Sequence, residues 1–245
     1  MPRFFIEVAY KGTNYGGFQR QDNAVTIQSE VEKALKTYFR AEFLVTGSSR
    51  TDAGVHARQN FFHFDTDFVP LQEDYTKTVY HLNAILPPDI VIRSVFPVNS
   101  EAHCRFDALS RTYQYTIYRS KDPFLVDTAY YYPFKLNMEI LESTAAELFH
   151  HNDFQTFSKK NTQVFTHQCS IISSEWNVQQ DRLIYSVTAN RFLRGMVKGL
   201  VGTMLRAATR EHTTEAFRAI IDSRNPAAAN FAVPSHGLCL QKVSF

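Results

Sequence analysis

The residues from Gly47 to Arg58 (GSSRTDAGVHAR) set one carboxylate, Asp52, among three side chains able to carry positive charge: Arg50, His56 and Arg58. Gly47 and Gly54 bracket the carboxylate. Glycine admits positive φ and lets a ligand or a second backbone come close, and loops held between rigid elements are where binding and catalytic groups concentrate. The set suits an isolated carboxylate nucleophile beside bound phosphate. Thr51-Asp52-Ala53-Gly54 is also good turn chemistry, so an Asx-turn made by Asp52 is the competing structural explanation.

The elements that must position this loop are legible on both sides of it. Strands are predicted near 42–46 and 58–65, from Phe43-Leu44-Val45 and from the run Asn60-Phe61-Phe62-His63-Phe64. Upstream, Phe4, Ile6, Val8 and Tyr10 alternate with Arg3, Phe5, Glu7 and Ala9, a strand with aromatic residues on both faces. A loop rich in Gly, Asn and Gln follows from Lys11 to Asn23, and Thr26 is a fitting N-cap for a helix with the stripe Ile27, Val31, Ala34, Leu35 and Tyr38. A helix over about 73–85, stopped before Pro87-Pro88, and a strand over about 90–97 complete the ferredoxin-like order of strand, helix, two strands, helix and strand.

The second half repeats the theme. A strand over 111–119 puts Tyr113, Tyr115 and Ile117 on one face, and a helix over about 137–150 follows. Strands at about 168–178 and 182–190, helices at about 191–209 and 213–222, and a strand at about 237–244 close the chain. The expected class is α+β, with ferredoxin-like halves at 1–108 and 109–245 and a hinge in the Pro/Asp/Lys-rich stretch 120–133.

Net charge is only +2, but Arg182 to Arg210 holds six basic and no acidic residues, which is compatible with a phosphate-facing surface. On a helix begun at Arg191, Leu193, Met196, Val197, Leu200, Val201 and Met204 share a buried arc, with Arg191, Arg194, Lys198 and Gly202 opposite and Gly195 and Gly199 beside them. Glycine costs a helix interior about 1 kcal/mol against Ala. Three of them beside cations point to a close approach on that face, by a nucleic-acid backbone or the catalytic loop. Three scattered cysteines and nine histidines show neither a disulfide framework nor a metal-binding spacing, so no metal is expected. The chain opens on a strand rather than a leader, and no apolar run is of membrane-spanning length, so a soluble cytoplasmic protein is expected.

Ser49-Arg50-Thr51-Asp52-Ala53-Gly54-Val55-His56-Ala57 closely resembles the signature loop of the tRNA pseudouridine synthase A family (TruA). Seven further blocks resemble that family in the same order. They are Tyr10 to Gln21, Leu82 to Ile90, Ala102 to Ala108, Arg111 to Tyr115, Asn152 to Phe157, Phe192 to Gly202 and Gly237 to Leu240. The resemblance implies the pseudouridine synthase fold, two ferredoxin-like halves joined into one mixed, mainly antiparallel sheet with helices on one face. It implies isomerisation of uridine at positions 38 to 40 of the tRNA anticodon arm, by a homodimer and without a cofactor, since nothing is oxidised or added. Asp52 is then the nucleophile, Lys198 the basic partner where many relatives carry Arg, and Tyr113 the active-site tyrosine that stacks on uracil and serves in proton transfer. The target base must be flipped out; Arg50 fits the vacated space, and His56, Arg58, Arg20, Arg191 and Arg194 are the candidate RNA contacts. Lys11 and Phe18 stand where many relatives carry Asp and Trp.

Two other readings stay open on the residues. A nucleoside or glycoside hydrolase could use Asp52, although such enzymes usually need a second carboxylate and Asp52 is the only acidic residue between Glu42 and Asp65. A non-catalytic RNA-binding protein could use the same scaffold.

Overall fold

The structure is a computed structural model that describes residues 1–67, 74–159, 165–210 and 212–245. Among them are nine strands and five α-helices, an α+β fold with mainly antiparallel strand pairing. The chain forms two compact units, Met1–Leu109 with Cys239–Phe245, and Ser110–Leu238.

In the first unit β1 (Arg3–Tyr10) is central, antiparallel to both β3 (His56–Asp65) and β4 (Ile90–Val98). The alternation of β1 explains this place. Phe4, Ile6, Val8 and Tyr10 are all buried, and Phe5 on the other face packs on Phe61, Phe96 and Phe245. The outer edge of β3 is shared. β2 (Thr46–Gly47) pairs with it at His63 and Phe62, while β9 (Leu238–Ser244) runs parallel to it at His56 and Ala57. Strand order β4-β1-β3-β2 on the element order β1-α1-β2-β3-α2-β4 is the ferredoxin-like arrangement. The sequence reading gave all of 109–245 to the second half, whereas the last seven residues cluster with the first unit through β3.

Helix α1 (Ile27–Phe39) starts at Thr26 as expected, through a reciprocal cap in which Thr26 accepts from the Ser29 amide and Ser29 from that of Thr26. Helix α2 (Thr76–Ile85) ends as Leu86 turns extended ahead of Pro87; residue 73, where that helix was expected to begin, lies outside the described residues. The strand expected over 42–46 shrinks to Thr46–Gly47. Its physical reason is buried Glu32, whose carboxylate accepts from the Val45 amide at 3.3 Å and so replaces a ladder bond.

In the second unit β5 (Ser110–Tyr118), β8 (Arg182–Ala189) and β7 (Ile171–Gln179) form an antiparallel sheet in that order, with the short β6 (Tyr130–Tyr131) parallel to β5. The stretch 120–133 lies inside this unit rather than between the two, with Leu125 and Ala129 buried against Tyr118 and Tyr131. Helix α3 (Met138–Glu147) is capped by Asn137 and packs on α4 (Met196–Arg210) and α5 (Thr214–Asp222).

Helix α4 corrects the sequence reading most. It begins at Met196, not Arg191, so Arg191 and Arg194 lie on the preceding loop. Gly195 sits at φ +77°, outside helical geometry, and Asn190 Oδ1 accepts from the amides of both Ser170 and Arg191, holding that loop in another path. The glycine face is not open either. A Cβ at Gly199 would stand 2.8 Å from the Phe231 ring, and one at Gly202 2.1 Å from the Asn230 carbonyl. What approaches closely is the chain's own 230–233 segment, fastened by Asn230 to Gly202 and Thr203. Arg206 is likewise engaged, donating to the Ala228 carbonyl.

Buried Glu147, at the end of α3, ties α5 to it. It receives Arg218 in a two-pronged pair at 2.7 and 2.9 Å and His151 at 3.0 Å. The Arg218 bonds, joined by those of His151, hold its carboxyl down from 4.5 to about 2. A depressed folded-state value stabilises the fold above pH 4.5, and that contribution is lost as pH falls toward 2. Glu147→Gln should therefore cost about 1.5–3 kcal/mol at neutral pH and flatten the acid limb of stability. Urea unfolding midpoints between pH 7 and pH 2 would check both.

Candidate active site

The loop from β2 to β3 is held by groups beneath it. Asn60, fully buried within β3, donates to the Ser49 carbonyl at 2.8 Å and accepts from the Ser49 amide at 3.2 Å. Its amide also donates to the Tyr10 hydroxyl at 3.1 Å, which is 2.9 Å from Thr51 Oγ1. The Ser48 amide donates to Phe61 O at 2.8 Å. The residues on both sides of Arg50 are thus fixed to strands β1 and β3, while the Arg50 side chain is exposed.

Asp52 is half-buried at the apex. The turn after it closes through the main chain, the Val55 amide donating to the Asp52 carbonyl at 3.1 Å, with Gly54 at φ +77° in the position that favours glycine. This main-chain turn falls where the Thr51-Asp52-Ala53-Gly54 turn chemistry places one.

The N-terminal loop lies directly against this one. The Phe18 amide donates to Thr51 O at 3.0 Å, and the Gly12 amide to His56 Nδ1 at 2.9 Å. Glycines make the approach possible: a Cβ at Gly12 would stand 2.0 Å from Val55 O, and Gly17, at φ +110°, is backed by Thr51 O and Ala53 N. Asp89 moors the far end, taking the Tyr15 hydroxyl on its carboxylate and the Lys11 amide on its carbonyl. Burial and that carboxylate push the Tyr15 hydroxyl's pKa well up.

Of the predicted contacts in this unit, Arg50 and Arg58 are exposed, whereas His56 is buried and braces Gly12. Arg20 is exposed but paired with Glu32 at 3.2 Å. Sequence reasoning missed Asn60, Tyr10 and Asp89. The one available signal was an amide, Asn60, at the head of the aromatic run Phe61-Phe62-His63-Phe64.

In the second unit Tyr113 is buried on β5 and meets Phe192 edge-to-face, ring centroids 5.1 Å apart. Lys198 lies in the first turn of α4, half-buried, its ammonium donating to Ser235 Oγ at 3.2 Å. A cation there opposes the helix macrodipole, and no acidic residue occupies that turn. His236 beside it is pushed down by burial, with Asp127 opposing. Arg191 is half-buried and Arg194 exposed on the loop before the helix.

The model of a family described as tRNA pseudouridine synthase matches residues 6–107 and 145–245. The chain belongs to the tRNA pseudouridine synthase family. It is similar to proteins named tRNA pseudouridine synthase A from Porphyromonas gingivalis (42% identical, covering 100% of this chain and 98% of that one) and Parabacteroides distasonis (39%, 100% and 96%). A more distant relative of the same name, from Staphylococcus aureus, is 33% identical over 98% of this chain and 91% of its own. The first matched segment of the family carries Asp52 and its whole mooring; the second carries Lys198. Tyr113 falls between them, in a stretch that the full-length relatives span and the family model does not.

Asn60→Ala would strip partners from the buried Ser49 amide and carbonyl and the Tyr10 hydroxyl. It should destabilise the chain by roughly 2–3 kcal/mol, measured by chemical denaturation.

Proposed function

We propose that this protein isomerises uridine to pseudouridine in tRNA, at positions 38 to 40 of the anticodon arm, with Asp52 as nucleophile. The observation that carries the reading is an intact Asp52 loop, held from below by Asn60, Tyr10 and Gly12, in a chain matched over its whole length by proteins named for this activity. The reaction breaks the N1–C1′ bond, turns the base and joins C5 to C1′; C5 loses a proton and N1 gains one. Nothing is oxidised and no group is added. Asp52 acts on the ribose, Lys198 supplies the matching charge, and Tyr113 stacks on the uracil and takes part in proton transfer from C5. Arg50 contacts phosphate at the space left by the flipped nucleotide, with Arg58, Arg20, Arg191 and Arg194 toward the RNA backbone. His56 serves the site from below, as a brace. The homodimer that the family resemblance implies, and the cytoplasmic location expected from the sequence, belong to the same reading.

Asp52→Asn keeps size and removes nucleophilicity, so it should abolish isomerisation while tRNA binding persists. Nucleotide-resolution mapping of tRNA from cells with and without the protein, and turnover by the purified variant, test this. Substantial product from Asp52→Asn, or release of free uracil by the parent chain, would overturn it.

Lys198→Met should lower kcat at saturating tRNA, whereas Lys198→Arg should be tolerated because it keeps the charge. An unchanged kcat in the Met variant would remove Lys198 from the mechanism.

A further inference from the structure

A cavity of about 340 Å³ opens within the first unit, its walls including Phe18, Gln19, Thr46, Arg50, Arg105 and Phe106. That volume is at the lower end of ligand-holding clefts, roughly 300–1,000 Å³. Two guanidinium groups and a primary amide share it with an aromatic ring at 74% exposure, Phe106. The ring is nevertheless fixed. It packs on the His103 imidazole at 4.2 Å between centroids, and the Arg105 guanidinium carbon is 5.7 Å from its centre. Its turn is closed by the Arg105 and Phe106 amides, which donate to His103 Nδ1 at 3.1 and 3.3 Å. Fully buried Cys104 anchors that turn to β2, its thiol 3.2 Å from the Thr46 carbonyl. Across the cavity, the side chains of Arg50 and Gln19 make no hydrogen bond or ion pair with another described residue.

A large apolar ring kept in water by a rigid turn, beside guanidinium groups and an unspent amide, has the chemistry of a site for an unstacked nucleotide. Aromatic faces and guanidinium planes receive splayed bases, amides read their edges, and cations hold the phosphate. Arg50 is two residues from Asp52, their Cα atoms at most about 7 Å apart, so an occupant held by Arg50 lies near the reacting nucleotide. We infer that this cavity seats an unpaired tRNA nucleotide next to the one modified, its base stacked on Phe106 and read by Gln19, its phosphate between Arg50 and Arg105. The assignment rests on the tRNA-modifying reading above.

Binding of an unmodified tRNA transcript, measured in an Asp52→Asn background, tests it together with KM and kcat in the active chain. Phe106→Ala should weaken binding about ten-fold, the effect of one lost base–aromatic stack, and raise KM more than it changes kcat. Phe106→Trp should restore affinity. Removing single bases beside the reactive uridine should locate the occupant: one abasic position should weaken binding by the parent and not by Phe106→Ala, as coupled partners do. Equal affinity of Phe106→Ala and its parent would overturn the assignment, as would failure of Trp to rescue. A loss of self-association at unchanged tRNA affinity would do the same, making the ring a protein contact. If the parent chain neither binds nor isomerises tRNA, the functional reading fails; if it does both and Phe106→Ala matches it, only the cavity assignment fails.

Discussion

Asp52, the carboxylate proposed to act on the ribose, must be held still by groups other than itself, and much of that holding falls to one buried amide. Asn60, within β3, grips the loop at both the donor and the acceptor of one residue, Ser49. Its third bond, to Tyr10, reaches Thr51 on the near side of Asp52. A buried amide with its partners in place costs little, but one stripped of them costs the desolvation of every group left behind. That asymmetry makes the loop conformation an all-or-none property of the sheet beneath it.

The same constraint runs outward to the N-terminal loop. It has to lie against the Asp52 loop, so the residues where the two backbones meet cannot carry side chains, and Gly12 and Gly17 stand there. Phe18 fills the space between, stacked on Phe62 with ring centroids 4.5 Å apart. A Cβ at Gly47 would meet that ring at 2.0 Å. The aromatic ring, the glycines and the moored carboxyl of Asp89 together make one rigid support. The exposed cations, Arg50 and Arg58, stand on that support rather than in it.

In the second unit glycine has a different use. Gly199 and Gly202 let the 230–233 segment lie on α4, which leaves that helix buried almost all round. Lys198, in the first turn, is only half-buried. The cost of a cation at the positive end of a helix is tolerated there, with Ser235 as its partner.

Local chemistry decided much of this protein before any long-range contact formed. Period-two alternation set β1 and β5, the Thr26 cap set the start of α1, and Pro87 set the end of α2, because each depends on steric and hydrogen-bonding preferences within a few residues. The Asp52 loop and its family were legible for a related reason: a short segment must carry its own turn residues and charges. Only tertiary structure decided what lies opposite each group. Glu32 took the Val45 amide from the expected strand, Asn190 and Gly195 delayed α4 to Met196, and the glycine face met the chain's own backbone instead of open space. The partners of Asn60, and the joining of β9 to β3, likewise bring together residues far apart in sequence. Composition and spacing record that a polar group, a glycine or a cation is present; which neighbour satisfies it is settled only when the chain packs.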